Sequence, residues 1–220
     1  VRSKKPSDGQ GTFVNQARRR QFVQVAIESL VERGYQATTI AEVARRAGVS
    51  KSVVLYHFSS RAELMEAVVV QVYTDATPPL RAQRAEARTE RERVLTYVRG
   101  AVSWAWSHQT EARAAREVAR NLRRDDGSPW FETEDDDPLI AVAQDLLETG
   151  QRAGELADFD PWTLAVLLRS TIDGLAEQFI SDPELDGPAV IDHFVHLVDR
   201  MITSPPGKPS RARRTTEGPS

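Results

Sequence analysis

The spacing of apolar positions predicts a chain of helices. Ile40, Val43, Ala44 and Ala47 recur at i, i+3, i+4 and i+7 and define one helical face, with Arg45 and Arg46 off it. Thr39 precedes that run and Glu42 follows three residues later. This is a capping-box pattern, in which the Thr oxygen and the Glu carboxylate each take an orphan amide. Gly48 supplies the permissive backbone that closes the helix. Ser50 then opens a second short helix, with Val54 and Phe58 inward at i, i+4. Two short helices joined by a Gly-containing turn make a helix-turn-helix unit. A longer helix, about residues 15–33, precedes it with Phe22, Val23, Ala26, Ile27 and Leu30 inward, and Gly34 ends it.

Beyond the unit, Leu64, Val68 and Val72 form an i+4 stripe on a helix over about 60–77, which Pro78-Pro79 is expected to interrupt. Residues 80–88 continue helically. Thr89 with Glu92 opens a helix to about Ser107, and Thr110 to Arg124 gives an Arg/Ala-rich helix of weak amphipathicity. Asp137-Pro138 and Asp160-Pro161 are N-cap and N1 pairs, opening helices to about Ala153 and to Ser181. Pro188 opens the last, rich in Val, Ile, Leu and Phe. Both final helices are apolar over wide arcs, which asks for burial on more than one side. The fold class is all-α: an N-terminal helix-turn-helix head on a C-terminal helical body.

Composition sharpens this division. Residues 1–64 hold 11 Lys/Arg against 5 Asp/Glu, residues 65–202 hold 14 against 26, and residues 203–220 hold four against one. A basic head on an acidic body suits DNA bound at one end. No cysteine is present, so thiolate zinc sites and disulfides are excluded. No apolar run is long enough to span a membrane and no signal peptide opens the chain, so the expected location is cytoplasmic, with no membrane partner. Nucleophile elbows, Walker loops and dinucleotide turns are missing, so no catalytic residue is assigned. His193 and His196 stand at i, i+3, but a helix-surface reading is preferred; neither a metal nor a cofactor is expected.

The expected organisation is a disordered arm over 1–14, the DNA-binding head over 15–62, a ligand-binding and dimerisation body over 63–202, and a disordered basic tail over 203–220. Arg18, Arg19 and Arg20 open the first helix, either as a phosphate- or minor-groove-touching arm or as a solvated helix start. On the second helix of the unit, Lys51, Ser52, Val53, Leu55 and Tyr56 face outward. Lys51 suits guanine O6/N7 or a phosphate, Ser52 either partner, and Val53 a thymine methyl. Ser50 at its start and Arg46 at the end of the preceding helix complete this candidate surface. The loop over 125–137 is acidic. Its Trp130 and Phe131 either pin it to the body or close over a ligand, and the first reading is preferred. The aromatic and charged residues Tyr97, Trp104, His108, Trp162, Arg169 and Asp173 are the candidates for a ligand pocket.

ERGY at 32–35, TT at 38–39, IAEVARRAGVS at 40–50, HF at 57–58 and the Ser60-Arg61-x-x-Leu64 pattern together resemble the DNA-binding segment of the TetR-like (tetracycline-repressor-like) transcriptional regulators. The resemblance implies that positions 51–53 meet base edges, that His57 and Arg61 meet phosphates, and that Thr39 contacts the DNA backbone. The family's usual Tyr falls where this chain has Leu55. Tyr56 follows one residue later, rotated by about 100°. The resemblance also implies a homodimer joined by a four-helix bundle of the last two helices, with Leu164, Leu168, Leu175, Phe194, Leu197, Val198 and Met201 as candidate interface residues. The expected function is that of a ligand-responsive repressor, bound to a roughly palindromic double-stranded operator and released by a small-molecule effector. A helical enzyme or ligand carrier with a vestigial head, or a scaffold that does not bind DNA, is the competing reading.

Overall fold

The computed structural model describes residues 8–131 and 138–203, apart from the side chains of residues 8–13 and of Pro138. Expectations for residues 1–7, for the acidic stretch 132–137 and for 204–220 lie outside the described residues. The elements are α1 (Asp8–Ala37), α2 (Ile40–Arg46), α3 (Lys51–His57), α4 (Arg61–Ala85), α5 (Glu90–Ser107), α6 (Gln109–Asn121), α7 (Pro138–Arg152), α8 (Pro161–Ser181) and α9 (Gly187–Thr203). No strand is present among the described residues; Arg123 and Pro129 form an isolated bridge in the turn after α6.

Side-chain caps set several helix starts. Thr39, Ser60, Thr89 and Asp160 each accept a hydrogen bond from the amide three residues on, at Glu42, Glu63, Glu92 and Thr163. At α4 and α5 the carboxylate of the third residue reaches back one position before the cap, to the amides of Ser59 (2.7 Å) and Arg88 (2.8 Å). At α2 only the Thr half of the expected capping box forms, because Glu42 is taken by arginines. Helix α1 begins at Asp8, earlier than the expected start near residue 15. Its helical backbone breaks at Gly34 (φ 77°, ψ 173°), a conformation in the left-handed half of φ that suits Gly. The Thr38 hydroxyl then donates to the Gly34 carbonyl (3.0 Å) and lies 3.0 Å from Ser29 Oγ, so this buried polar pair is satisfied.

Pro78-Pro79 does not interrupt α4, contrary to the expectation from the sequence. The two prolines remove the donors for the carbonyls of Thr74 and Asp75. Residues 74, 75, 78 and 79 are all exposed, so water can take the unpaired carbonyls. The Thr77 hydroxyl donates to the Tyr73 carbonyl at 2.7 Å on the same stretch.

Two apolar cores result. One joins α1, α2, α3 and the first half of α4 with Ala114, Ala115, Val118 and Leu122 of α6 and the segment after it. Trp130 and Phe131 pack on this core, and the Trp130 amide bonds the Leu122 carbonyl (3.1 Å), so these aromatics pin the turn after α6. The second core joins α5, α7, α8 and α9. The head therefore shares its core with one body helix. Helix α6 packs against α1, α4 and α8 alike. At the α4–α5 crossing, Gly100 admits Leu80: a Cβ there would meet Leu80 Cδ2 at 2.5 Å.

Candidate functional site

Helix α3 is presented by its buried side. Val54 and Phe58 are fully buried in the head core, which leaves Lys51, Ser52, Leu55 and Tyr56 exposed and Val53 half-buried. Tyr56 is 79% exposed and Leu55 40%, so the aromatic ring, not the leucine, is the more prominent side chain. The Ser50 side chain makes no cap bond and instead pairs with Ser52 Oγ at 2.8 Å. Gly48, with φ of 66°, makes the turn that feeds α3.

The cations around this ridge divide into two groups. Arg18 bonds Gln21 (2.7 Å), while Arg19 reaches the His57 carbonyl and Glu63 (3.1 Å) and lies 4.1 Å over the Phe58 ring. Arg46 is held by Glu32 and Glu42, both at 2.7 Å. Arg61 donates to the carbonyls of Thr38 (2.8 Å) and Tyr35 and stacks 4.0 Å over the Tyr35 ring. Arg46 and Arg61 thus tie helices together, whereas Lys51 and Tyr56 stand outward. The sequence placed Arg46 and Arg61 among the DNA-facing residues; what it could not show was that acids at 32 and 42, and carbonyls at 35 and 38, converge on them. Thr39 spends its hydroxyl oxygen on the Glu42 amide (3.1 Å).

Charge pairing tunes the titratable groups here. Hydrogen bonds from Arg45 and then Arg46 hold the Glu42 carboxyl well below the usual carboxylate range. Burial, followed by the nearby Arg19 and Arg18 cations, pushes the His57 imidazole below its ordinary value. His57 Nδ1 lies 2.7 Å from Asn15 Oδ1, and its ring is against Phe22 and edge-on to Tyr56. At neutral pH His57 is therefore an uncharged, oriented ring beside the exposed face of α3.

The body holds a cavity of about 150 Å³ between α4, α5, α6 and α8. Of the six candidate ligand residues, Tyr97, Trp104, Arg169 and Asp173 line it. His108 and Trp162 do not. His108 stacks on the outer face of Trp104 (4.8 Å between centroids) in a neighbouring crevice, and Trp162 packs into the second core, because both lie beyond the helical turns that face the cavity. Arg116 and the alanine face of α6, Ala112, Ala115 and Ala119, also line it, and neither was legible from spacing along the chain. Inside, Arg169 pairs with Asp173 and donates to Tyr73 Oη (3.1 Å). Arg116 Nη1 donates to the Asp173 carbonyl (3.0 Å) and to Glu177 (2.6 Å), while its Nη2 is enclosed with no partner among the described residues.

The candidate interface residues also separate. Leu164, Leu168 and Val198 are 5%, 3% and 0% exposed, so they pack in the chain's own core. Their positions on wide apolar arcs disguised which turn points inward. Leu197 (58%) and Met201 (48%) are exposed one turn apart on α9, with Phe194 half-buried beside them. On α8, Leu175 is half-buried and Leu167, not singled out from the sequence, is 51% exposed.

Residues 22–68 match the family model described as bacterial regulatory proteins, tetR family. Over 84 residues the chain is 31% identical to the HTH-type transcriptional regulator BetI 1 of Chromohalobacter salexigens, covering 38% of this chain and 42% of that protein. Over 52 residues it is 52% identical to the HTH-type transcriptional activator FasR of Mycolicibacterium smegmatis, 24% of each chain. The chain thus spans less than half the length of these curated relatives. Along most of its length it resembles a solved bacterial regulatory protein of the tetR family from Rhodococcus RHA1, with a TM-score of 0.70, 21% identity, and coverage of 84% of this chain and 96% of that one. At that identity the likeness shows the fold. No helix of the described residues is long and apolar enough to cross a membrane.

Proposed function

We propose, from a TetR-like helix-turn-helix head carried on a TetR-like helical body, that this protein is a DNA-binding transcriptional regulator that acts as a homodimer and answers to a small molecule. The observation that carries the reading is the α3 ridge: Lys51, Ser52, Leu55 and Tyr56 project from a helix anchored by Val54 and Phe58. Lys51 and Ser52 supply hydrogen bonds to base edges or phosphates, Val53 and Leu55 apolar contact to thymine methyls, and Tyr56 a phenol that reaches phosphate. His57 borders the ridge as a neutral ring whose one N–H is donated to Asn15 Oδ1. Thr39 and Ser50 border the same surface, with Arg46 and Arg61 fixing the frame beneath it.

Dimerisation rests on Leu167, Leu197 and Met201, the large apolar side chains that α8 and α9 leave uncovered. Twofold symmetry then pairs two α3 helices on a roughly palindromic operator. The effector site is the cavity lined by Tyr97, Trp104, Arg169 and Asp173. Helix α6 meets the cavity through Ala112 and Arg116 and the head core through Ala114 and Val118, so a ligand that shifts α6 also loads the head. A ligand preferring the state whose head spacing misfits the operator releases the DNA, in proportion to its differential affinity. Repression is the reading adopted; a reporter driven by the bound promoter distinguishes it from activation by the direction of change on deletion.

The test is a competition shift assay with the protein's own upstream DNA. Sequence-selective binding at moderate salt is expected, and its absence sinks the reading. Lys51→Ala should weaken selective binding by roughly tenfold if Lys51 reads bases. Leu197→Asp with Met201→Asp should turn the dimer into a monomer in sedimentation.

A further inference from the structure

The balance of charge inside and outside the cavity indicates what kind of molecule it takes. The chamber wall is apolar, built from residues such as Val72, Ala76, Ala105 and Ile172. Its two internal cations are balanced in charge, Arg169 by Asp173 and Arg116 by Glu177, with the enclosed Arg116 Nη2 left unpartnered among the described residues. A ligand carboxylate or phosphate placed deep in the chamber would displace these carboxylates or face them. The situation differs at the neighbouring groove between the end of α4, α5 and α7, lined by Arg81, Arg84, Arg93, Val142, Asp145 and Leu146. Arg93 is paired with Glu90. Arg81 and Arg84 have no carboxylate partner among the described residues, and one carboxylate, Asp145, shares the groove with them.

Neighbouring residues of α4 and of the start of α7 line the chamber and the groove. Leu80 lines the first and Arg81 the second; Leu139 lines the first and Ala141 the second. The Arg84 guanidinium lies 5.7 Å from the centre of the Tyr97 ring, which walls the chamber. The geometry points to an amphipathic anion as the ligand: an apolar segment inside the chamber, and a carboxylate or phosphate outside it on Arg81 and Arg84. A space of about 150 Å³ holds a group the size of benzene, so the enclosed segment has about six carbon atoms and the rest extends toward the groove. This inference builds on the reading of the chamber as the effector site. Guanidinium groups suit either anion, through paired N–H donors.

The test is calorimetry on the full chain without DNA, using octanoate, octyl phosphate, octan-1-ol and octylammonium. At least one anion should bind tenfold or more tighter than octan-1-ol, with an advantage that shrinks as salt rises, and octylammonium should bind weakest. Which anion binds tighter identifies a carboxylate or a phosphate head. Arg81→Gln with Arg84→Gln should remove the anion's advantage and leave octan-1-ol affinity unchanged. Ala176→Leu, which fills the chamber, should abolish binding of anion and alcohol alike. The proposal is overturned if neither anion exceeds octan-1-ol, if the double variant keeps the preference, or if the filled chamber binds the anion undiminished. Anion binding without DNA release leaves this inference standing and removes the effector role, so the two readings fail separately.

Discussion

The two sides of α6 differ in how they use alanine. Toward the head, Ala114 meets a core in which Phe22, Ile27 and Leu30 of α1 and Met65 of α4 are fully buried, and the small side chain lets the helices close; Ala115 borders both sides. Toward the body, Ala112 and Ala119 face Ala76, Ala101 and Ala176, and small against small leaves space. A sealed void of about 150 Å³ costs roughly 3–4 kcal/mol in lost contacts by cavity-volume scaling, an upper bound for a chamber that opens to the surface. The head thus reaches close packing beneath α3, and the body forgoes it around the chamber.

Mutations can break this contrast. The largest effect is expected from Phe58→Ala, which empties a fully buried site at the end of α3 and should destabilise the fold by about 3–5 kcal/mol in denaturant titration. A loss well under one such unit would mean the head is loosely packed too. Arg61→Ala strips the Thr38 and Tyr35 carbonyls of their donor and should cost about 1–3 kcal/mol. If DNA affinity falls while stability does not, Arg61 is a contact and not a strut. Next comes a matched pair. Ala26→Leu, in the filled head core, should cost about 1–3 kcal/mol by overpacking, whereas Ala176→Leu, at the chamber, should cost less than that and can raise the melting temperature. Equal costs would erase the distinction between the two sides of α6.

The smallest effect is a pH dependence. His57 titrates below its ordinary value of 6.5 in the folded head, so as pH falls through 6.5 the unfolded chain takes up a proton that the folded one resists. Stability therefore declines on acidification from about pH 6.5 and levels off once the folded imidazole is also protonated. His57→Gln should flatten that limb of the melting-temperature profile. An NMR titration should place the His57 midpoint under 6.5; a midpoint above it would show that the ring faces anions and not Arg18 and Arg19.

What the sequence disclosed followed from local rules. Thr89 starts α5, Asp160-Pro161 starts α8, and the residues 38–64 give two helices about Gly48, because each signal involves atoms within four positions of one another. The unit's outward ridge was legible for the same reason, since Val54 and Phe58 fix which side is in. What stayed hidden needed partners far along the chain. Arg61 is anchored 23 and 26 residues away. The chamber appears where alanines from four helices meet, and alanine periodicity on one helix does not say whether its neighbour is large or small. Leu164 and Leu197 look equivalent on their own arcs, yet one is core and the other surface, because α7 covers the first. Pro78-Pro79 misled in the opposite direction, since a local rule against proline gave way to a continuous helix with its unpaired carbonyls in water.

Those prolines give α4 uneven stiffness. Its first half is clamped in the head core from Leu64 to Val72, and its second half borders the chamber at Ala76 and Leu80. Between them, two consecutive rungs of the hydrogen-bond ladder are missing, so resistance to bending is lowest at that point. A force applied by a guest at Leu80 would be absorbed there before it reached Leu64, whereas a force through α6 meets an uninterrupted rod.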